Sequence, residues 1–366
     1  MTTAKQLEAL NKRFWYAFLR LILRNRPASV PLDPKRIRRI LIFRYDAIGD
    51  MVVTLPSVDI IRKNHPDAEV AMVVSPQNIA IIRNDARIGT RHIYRKGFFE
   101  TIRLVREARR ERYDAIYCFV LHKTTKAGLL ANMIGGRRAV KVTLLNPARA
   151  YLYGIFFNLQ MPIERATDVM GVLQAKVVSA SFGWRYEPEM VRYRLALAPE
   201  NRLRAGEFRA GLGDRPFIIL NISAGNVYRQ WSVERNRELI ERIAALYPDL
   251  AIVVISSPGD AADAIELGRT IPERTSTFPA TPDILDVAAL LGHARMVISP
   301  DTSIIHIASA MGTPVVGLYS GMATFIPEWM PHGVPFRAVE TVDRTPLETI
   351  DVARVVDAFA DLYRGV

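Results

Sequence analysis

Residues 37–56 read IRRILIFRYDAIGDMVVTLP, a short apolar run followed by one glycine and one acid. The run predicts a buried strand over 38–44, and the residues after it predict a loop leading into a helix. Strand, tight loop and helix in that order open a nucleotide-binding α/β unit. A dinucleotide loop would place three glycines here, but this stretch has Gly49 alone, with Asp50 directly after it. The acid therefore needs a purpose other than cradling phosphate. It either serves the helix dipole as a first-turn carboxylate or stands in a cleft and takes a proton from a substrate hydroxyl. Asp46 is also available for capping, which weakens the first reading.

The same alternation continues along the chain. Further strands are expected at 69–75, 113–119 and 139–143, with helices at 56–64 and 99–111. Short apolar strands separated by helices predict a parallel sheet covered on both faces. The apolar stretch 151–159 is expected to pack within this first half or on a membrane-facing side. Residues 184–200 combine charge and proline with little periodicity, and the domain boundary is placed there. Alternation resumes with strands at 216–223, 251–257, 296–300 and 314–320, and helices at 232–246, 259–269, 283–294 and 301–312. The expectation is two doubly wound α/β halves, 37–190 and 191–345. An amphipathic tail helix within 346–366 could cross back to the first half.

The chain has 366 residues, 49% of them hydrophobic, enough for two cores. Its net charge of +12 is uneven. Residues 1–150 hold 29 Lys and Arg against 12 Asp and Glu, and residues 151–366 hold 20 against 25. The first half should meet something anionic, whether phospholipid headgroups, a phosphorylated glycolipid or nucleic acid. Nucleic acid is the poorest of these, because the aromatics do not interleave with the cations. Residues 6–26 show helical periodicity, with Leu7, Leu10, Phe14, Phe18, Leu21 and Ile22 on one broad face flanked by Arg and Lys. That composition suits a helix lying in a membrane interface and equally a helix packed on the protein's own body. Three prolines in 26–36 then end it, so 1–36 reads as helix and linker. One cysteine, Cys118, excludes an internal disulfide, and no apolar run is long enough to span a bilayer. A cytoplasmic protein, free or peripheral on the inner face of a membrane, is expected.

Two more constellations carry chemistry. In NISAGNVYRQW (221–231) a strand ends in the small residues Ser223, Ala224 and Gly225, which permit close backbone approach to a ligand. Arg229 follows and suits a phosphate. In SPDTSIIHIASAMGTPVVGLYS (299–320) a strand runs into Asp301, Thr302 and Ser303, where a helix N-terminus is a ready anion site. His306 lies on the same helical face as Thr302. No Asp-x-Asp, no His or Cys cluster and no Walker loop is present, so no metal or cofactor is expected.

Taken in order, the three stretches resemble glycosyltransferase family 9, whose best-known members are ADP-heptose:lipopolysaccharide heptosyltransferases. The resemblance spans roughly residues 38–330. It implies a GT-B fold, two Rossmann-like domains facing a cleft, with the acceptor on the N-terminal side and the nucleotide sugar on the C-terminal side. It implies that Asp50 is the catalytic base of an inverting, metal-independent transfer to an anionic glycolipid. Arg229 and the Thr302/Ser303 helix start would then stabilise the departing diphosphate. Asp301 would hold sugar hydroxyls, and His306 would support that loop or the donor. Ser303 stands where the family has glycine, and Arg229 where the heptosyltransferases have lysine. The stretch 255–263 lacks their Gly-Gly, and RATD (165–168) lacks a preceding histidine. Two rival readings are an epimerase or hydrolase of the same fold, and a nucleotide-sugar binder without turnover.

Overall fold

The computed structural model describes residues 14–120, 124–164, 168–321, 326–342 and 345–366. Its first six-stranded sheet holds β1 (Arg39–Phe43), β2 (Glu69–Val74), β3 (Thr90–Ile93), β4 (Ala115–Cys118), β5 (Val140–Leu144) and β6 (Leu159–Met161). The order is β3-β2-β1-β4-β5-β6 and every pairing is parallel. The second sheet holds β7 (Phe217–Asn221), β8 (Ala251–Ile255), β9 (Thr275–Thr277), β10 (Met296–Pro300), β11 (Val315–Tyr319) and β12 (Phe336–Glu340). Its order, β12-β11-β10-β7-β8-β9, repeats the first, again with every pairing parallel. In each sheet the strand order reverses beside the first strand, between β1 and β4 and between β7 and β10. In an open parallel sheet, that reversal is where a ligand crevice forms at the carboxyl ends. This is the GT-B architecture expected of the sequence.

The central strands form where the sequence is continuously apolar: Ile40–Phe43 and Ile218–Ile219 have no exposed surface. The sequence pattern missed β3, β6, β9 and β12, which form the sheet edges and carry polar residues. The helix after the first loop is also longer than expected. It runs over Ile48–Asn64 (α2), so Gly49 and Asp50 lie in its first turn and Pro56 lies inside it. An internal proline destabilises a helix by about 3 kcal/mol. Burial of eleven α2 residues offsets that cost.

Helices α3 (Phe98–Arg110), α4 (Thr124–Gly135) and α5 (Ala150–Phe156) share one face of the first sheet. The stretch 151–159 thus becomes α5 and β6, with Tyr153, Ile155 and Phe156 buried. On the other face, α2 packs on α6 (Met170–Phe182). The chain then crosses to the second sheet and begins α7 (Pro199–Gly211), followed by α8 (Val233–Leu246), α9 (Ala261–Leu267), α10 (Ile284–Leu291) and α11 (Ser303–Met311). One apolar core joins α2 and α6 to α10 and α11, so the halves meet through packed side chains.

Two expectations about the chain ends change. The tail helix α12 (Val352–Tyr363) does not cross back. Val355, Phe359 and Leu362 enter the core of the second sheet with β7, β8 and β10, and α12 packs on β12 and α8. At the other end, residues 14–23 are helical (α1), and the rest of 6–26 up to position 13 lies outside the described residues. Tyr16, Leu19 and Leu23 pack on the α3/α4/α5 core, while the predicted apolar face, Phe14, Phe18, Leu21 and Ile22, turns to solvent. No helix among the described residues is long and apolar enough to cross a membrane.

Candidate functional site

Three loops at the carboxyl ends of central strands build the site, those after β1, β7 and β10. The β1 loop is organised by Arg44, whose side chain is fully buried. Its Nε donates to the Asp50 carbonyl at 2.7 Å, and its Nη1 donates to Asp46 Oδ2 at 3.0 Å and to the Phe119 carbonyl. Nη2 stands 3.0 Å from Asp50 Oδ1. Asn78 Nδ2 closes the loop by donating to the Arg44 carbonyl at 3.0 Å. The Asp50 carboxylate also accepts the Ala47 N–H at 3.2 Å through Oδ2. It therefore does serve the helix start. Each oxygen has one such neighbour, and a carboxylate has about four acceptor positions, so both keep capacity for a substrate hydroxyl. With 14% of its side chain exposed, Asp50 is reachable.

Across the cleft, Asn221 ends β7 as a buried hub. Its Nδ2 donates to Ser299 Oγ at 2.9 Å, to Thr302 Oγ1 at 3.2 Å and to the Ser223 carbonyl at 3.3 Å. It thereby ties the β7 loop to the β10 loop. Thr302 caps α11, accepting the Ile304 N–H at 3.4 Å. Ser223 Oγ accepts the Ser257 N–H at 2.6 Å, which draws in the loop after β8, within the stretch that lacks the Gly-Gly pair. A Cβ at Gly225 would meet open space, so the protein's own packing does not require glycine there. Arg229 Nη1 reaches Asp301 Oδ2 at 3.1 Å and the Asp301 carbonyl at 3.4 Å. Burial raises the Asp301 pKa and the Arg229 charge opposes that rise.

The two walls meet most tightly at Gly49. A Cβ on Gly49 would lie 2.8 Å from His306 Cδ2 and 3.4 Å from Ser303 Cα. Only glycine lets the first turn of α2 approach the start of α11 so closely. His306 is 4% exposed, its ring facing the edges of Tyr193 and Trp329 at centroid distances of 6.4 Å and 5.9 Å. Burial pushes its pKa down to about 4, against the pull of Asp50 upward. His306 is thus a neutral imidazole that props the Gly49–Asp50 turn.

The structure brings Gly49, Asp50, Ser303 and His306 to one contact, and Ser223, Arg229, Asp301 and Thr302 to the adjoining wall. Sequence reasoning gave no role to Arg44, Asn221 or Tyr193. Arg44 opens the first motif and Asn221 the second, and a lone polar residue at the end of an apolar strand was their signal. Of RATD, only Asp168 is described, and it pairs with Lys176. Among the described residues no three His, Cys, Asp or Glu converge as a metal site.

The sequence profile of glycosyltransferase family 9 (heptosyltransferase) matches residues 101–334. The chain belongs to this family. Lipopolysaccharide heptosyltransferase 3 of Escherichia coli is 24% identical over 291 residues, covering 74% of this chain and 80% of that protein. A family 9 glycosyltransferase from Veillonella parvula superposes with a TM-score of 0.74 at 17% identity, covering 90% of this chain and 98% of that one. The E. coli heptosyltransferase WaaC, solved with ADP-2-deoxy-2-fluoro heptose, superposes with a TM-score of 0.69 at 18% identity, covering 88% and 99%. As a family 9 member the chain is a heptosyltransferase-like glycosyltransferase of GT-B fold.

Proposed function

We propose that this enzyme moves a heptose or related sugar from an ADP-linked donor to a lipopolysaccharide-core or similar anionic envelope glycolipid, with inversion and without a metal. The observation that carries this is the Gly49–His306 contact, which brings the α2 turn bearing Asp50 against the N-terminus of α11. The acceptor hydroxyl attacks the anomeric carbon as the bond to the diphosphate breaks on the opposite face. Asp50 takes the proton that the hydroxyl releases. Arg229, with the first-turn N–H groups and dipole of α11 at Thr302 and Ser303, stabilises the charge that builds on the diphosphate, the task a metal performs elsewhere. Asp301 positions sugar hydroxyls, and Ser223, Ala224 and Gly225 let the backbone approach the donor. The ADP-heptose analogue held by the WaaC relative supports the choice of donor. We assign residues 37–190 to the acceptor side and 191–345 to the donor side. The reaction would take place at the cytoplasmic face of the inner membrane, which the basic first half suits.

The test is transfer from ADP-heptose to a core acceptor by the wild type and by Asp50→Asn. The substitution should lower kcat by about 10²–10⁴-fold with ADP binding retained. A change below about threefold would remove Asp50 from the chemistry. EDTA should leave transfer intact, and NMR of the product should show the inverted anomer. Sugar release without acceptor would favour the hydrolase reading.

A further inference from the structure

The two most exposed large apolar side chains among the described residues are neighbours, Phe98 at 74% and Phe99 at 82%. They begin α3, directly after Arg95, Lys96 and Gly97, and their rings meet edge to face at 5.5 Å. Gly97 takes φ of +133°, a conformation that favours glycine and turns the chain sharply into the helix. Water exposure of two phenylalanines is unfavourable, and nothing among the described residues covers them.

Their surroundings define the partner. Positions 99, 103, 106 and 110 fall on one helical face, so Phe99 heads a stripe of Arg103, Arg106 and Arg110. Residues 91–112 hold eight Arg or Lys against three Glu. Residues 14–26 hold three Arg, residues 124–151 hold Lys126, Arg137, Arg138 and Arg149 besides the buried Lys141, and neither segment has an acid. On the same helical layer α1 presents Phe14, Trp15 and Phe18 outward at 69%, 54% and 44% exposure. α1 and the segment that follows it are clamped. Asn25 Nδ2 donates to Asn132 Oδ1 at 2.7 Å and to the Ile155 carbonyl at 2.9 Å, and Arg20 lies over the Tyr151 ring. Exposed aromatics framed by cations that outnumber the acids, three Glu and the Asp114 paired with Arg138, match an anionic bilayer interface. A second copy of the chain fits worse, since a two-fold contact would set these cations against themselves.

We propose that the outer face of the α1/α3/α4/α5 layer docks on an anionic membrane, with Phe98 and Phe99 inserted as its wedge. The wedge lies at the carboxyl edge of the first sheet, the edge that carries Asp50. Tyr94, which follows β3, packs on Tyr45 of the Asp50 loop with ring centroids 4.6 Å apart. Docking there brings the mouth of the acceptor side to the lipid surface. The inference extends the lipid-borne acceptor reading, but acceptor-free vesicles test it separately from sugar transfer.

The full chain is co-sedimented with vesicles of phosphatidylcholine alone or mixed with phosphatidylglycerol. The wild type should bind the anionic vesicles selectively, with a blue shift of tryptophan emission from Trp15. Phe98→Ser/Phe99→Ser should weaken the partition at least about tenfold. Arg103→Glu/Arg106→Glu should weaken it comparably and flatten its salt dependence. Leu246→Ser, exposed on α8 of the second half, should bind as wild type. Unchanged melting and ADP binding of the variants establish that they fold. No selective binding by the wild type, or equal binding by the Phe98/Phe99 variant, would overturn the proposal. So would a dimer in solution that the same substitutions dissolve.

Discussion

Replacing Gly49 by alanine tests whether the two walls of the site meet as described. Position 49 is helical, and alanine is favoured over glycine there by about 1 kcal/mol. Chain propensity alone thus predicts a more stable protein. The added Cβ would stand 2.8 Å from His306 Cδ2 and 3.4 Å from Ser303 Cα, where carbon contacts settle at about 3.5–4.0 Å. The imidazole cannot swing aside, being buried against Tyr193 and Trp329. Either His306 or the start of α11 must therefore recede by roughly 1 Å, at an overpacking cost of about 1–3 kcal/mol. The net expectation is a loss of about 1 kcal/mol instead of a gain. With Asp50 as the proposed base and α11 at the proposed leaving-group site, a shift of that size should lower kcat by about 10²-fold. Urea melts and single-turnover transfer measure both. The decisive comparison is the same substitution made in a His306→Ala background. There the ring is gone, so Gly49→Ala should stabilise the protein, and the reversal of sign isolates the contact. Wild-type kcat together with a raised melting temperature in Gly49→Ala alone would refute the reasoning.

Other substitutions probe the neighbouring groups. His306 has a folded pKa near 4 against 6.5 when unfolded, so the unfolded chain binds more protons between those values. Its contribution is fully present above pH 6.5 and is lost as pH falls toward 4, about 3 kcal/mol in all. His306→Gln should remove that slope from urea melts between pH 4 and 7. Arg229→Ala should weaken ADP binding by about 10–100-fold in calorimetry. It should also raise the Asp301 pKa further, because Arg229 is what opposes burial there. Thr302→Ala removes the α11 cap and an acceptor of Asn221, and should lower stability by about 1 kcal/mol while weakening ADP binding.

How much of the fold was legible depends on where the information lies. The central strands are apolar throughout because both faces are covered, so Ile40–Phe43 and Ile252–Val254 could be read directly. The edge strands TRHI and FRAVE have few such residues and are held by pairing to an inner strand, a non-local cause. The error over the tail helix shares that origin. Its partner surface includes β12, and without β12 the second sheet offered α12 nowhere evident to go. The face of α1 was legible from its period, but its direction was not, since Tyr16, Leu19 and Leu23 are as apolar as the residues that face water.

The site shows the same division. Gly49, Asp50 and the Asp301–His306 run could be picked out because strand-to-helix loops in such sheets collect ligands. Of the residues that fix them, the sequence marks Arg44 and Asn221 only as polar strand ends, since what they grip lies across the fold at Phe119 and Thr302. These partners also bear on what Asp50 is for. Capping explains its bond to Ala47 but leaves Arg44 unexplained, since burying a guanidinium is costly and a helix start needs no such cation. Arg44 instead grips the carbonyls of Asp50 and Phe119 and flanks the Asp50 carboxylate, locking the turn from three sides. A first turn held so firmly, with the acid still open to solvent, is what pre-positioning of a base requires. Under the proposed function the two readings of position 50 are therefore compatible. The capping bond and the buried arginine orient the carboxylate, and its remaining acceptor positions are free for a substrate hydroxyl.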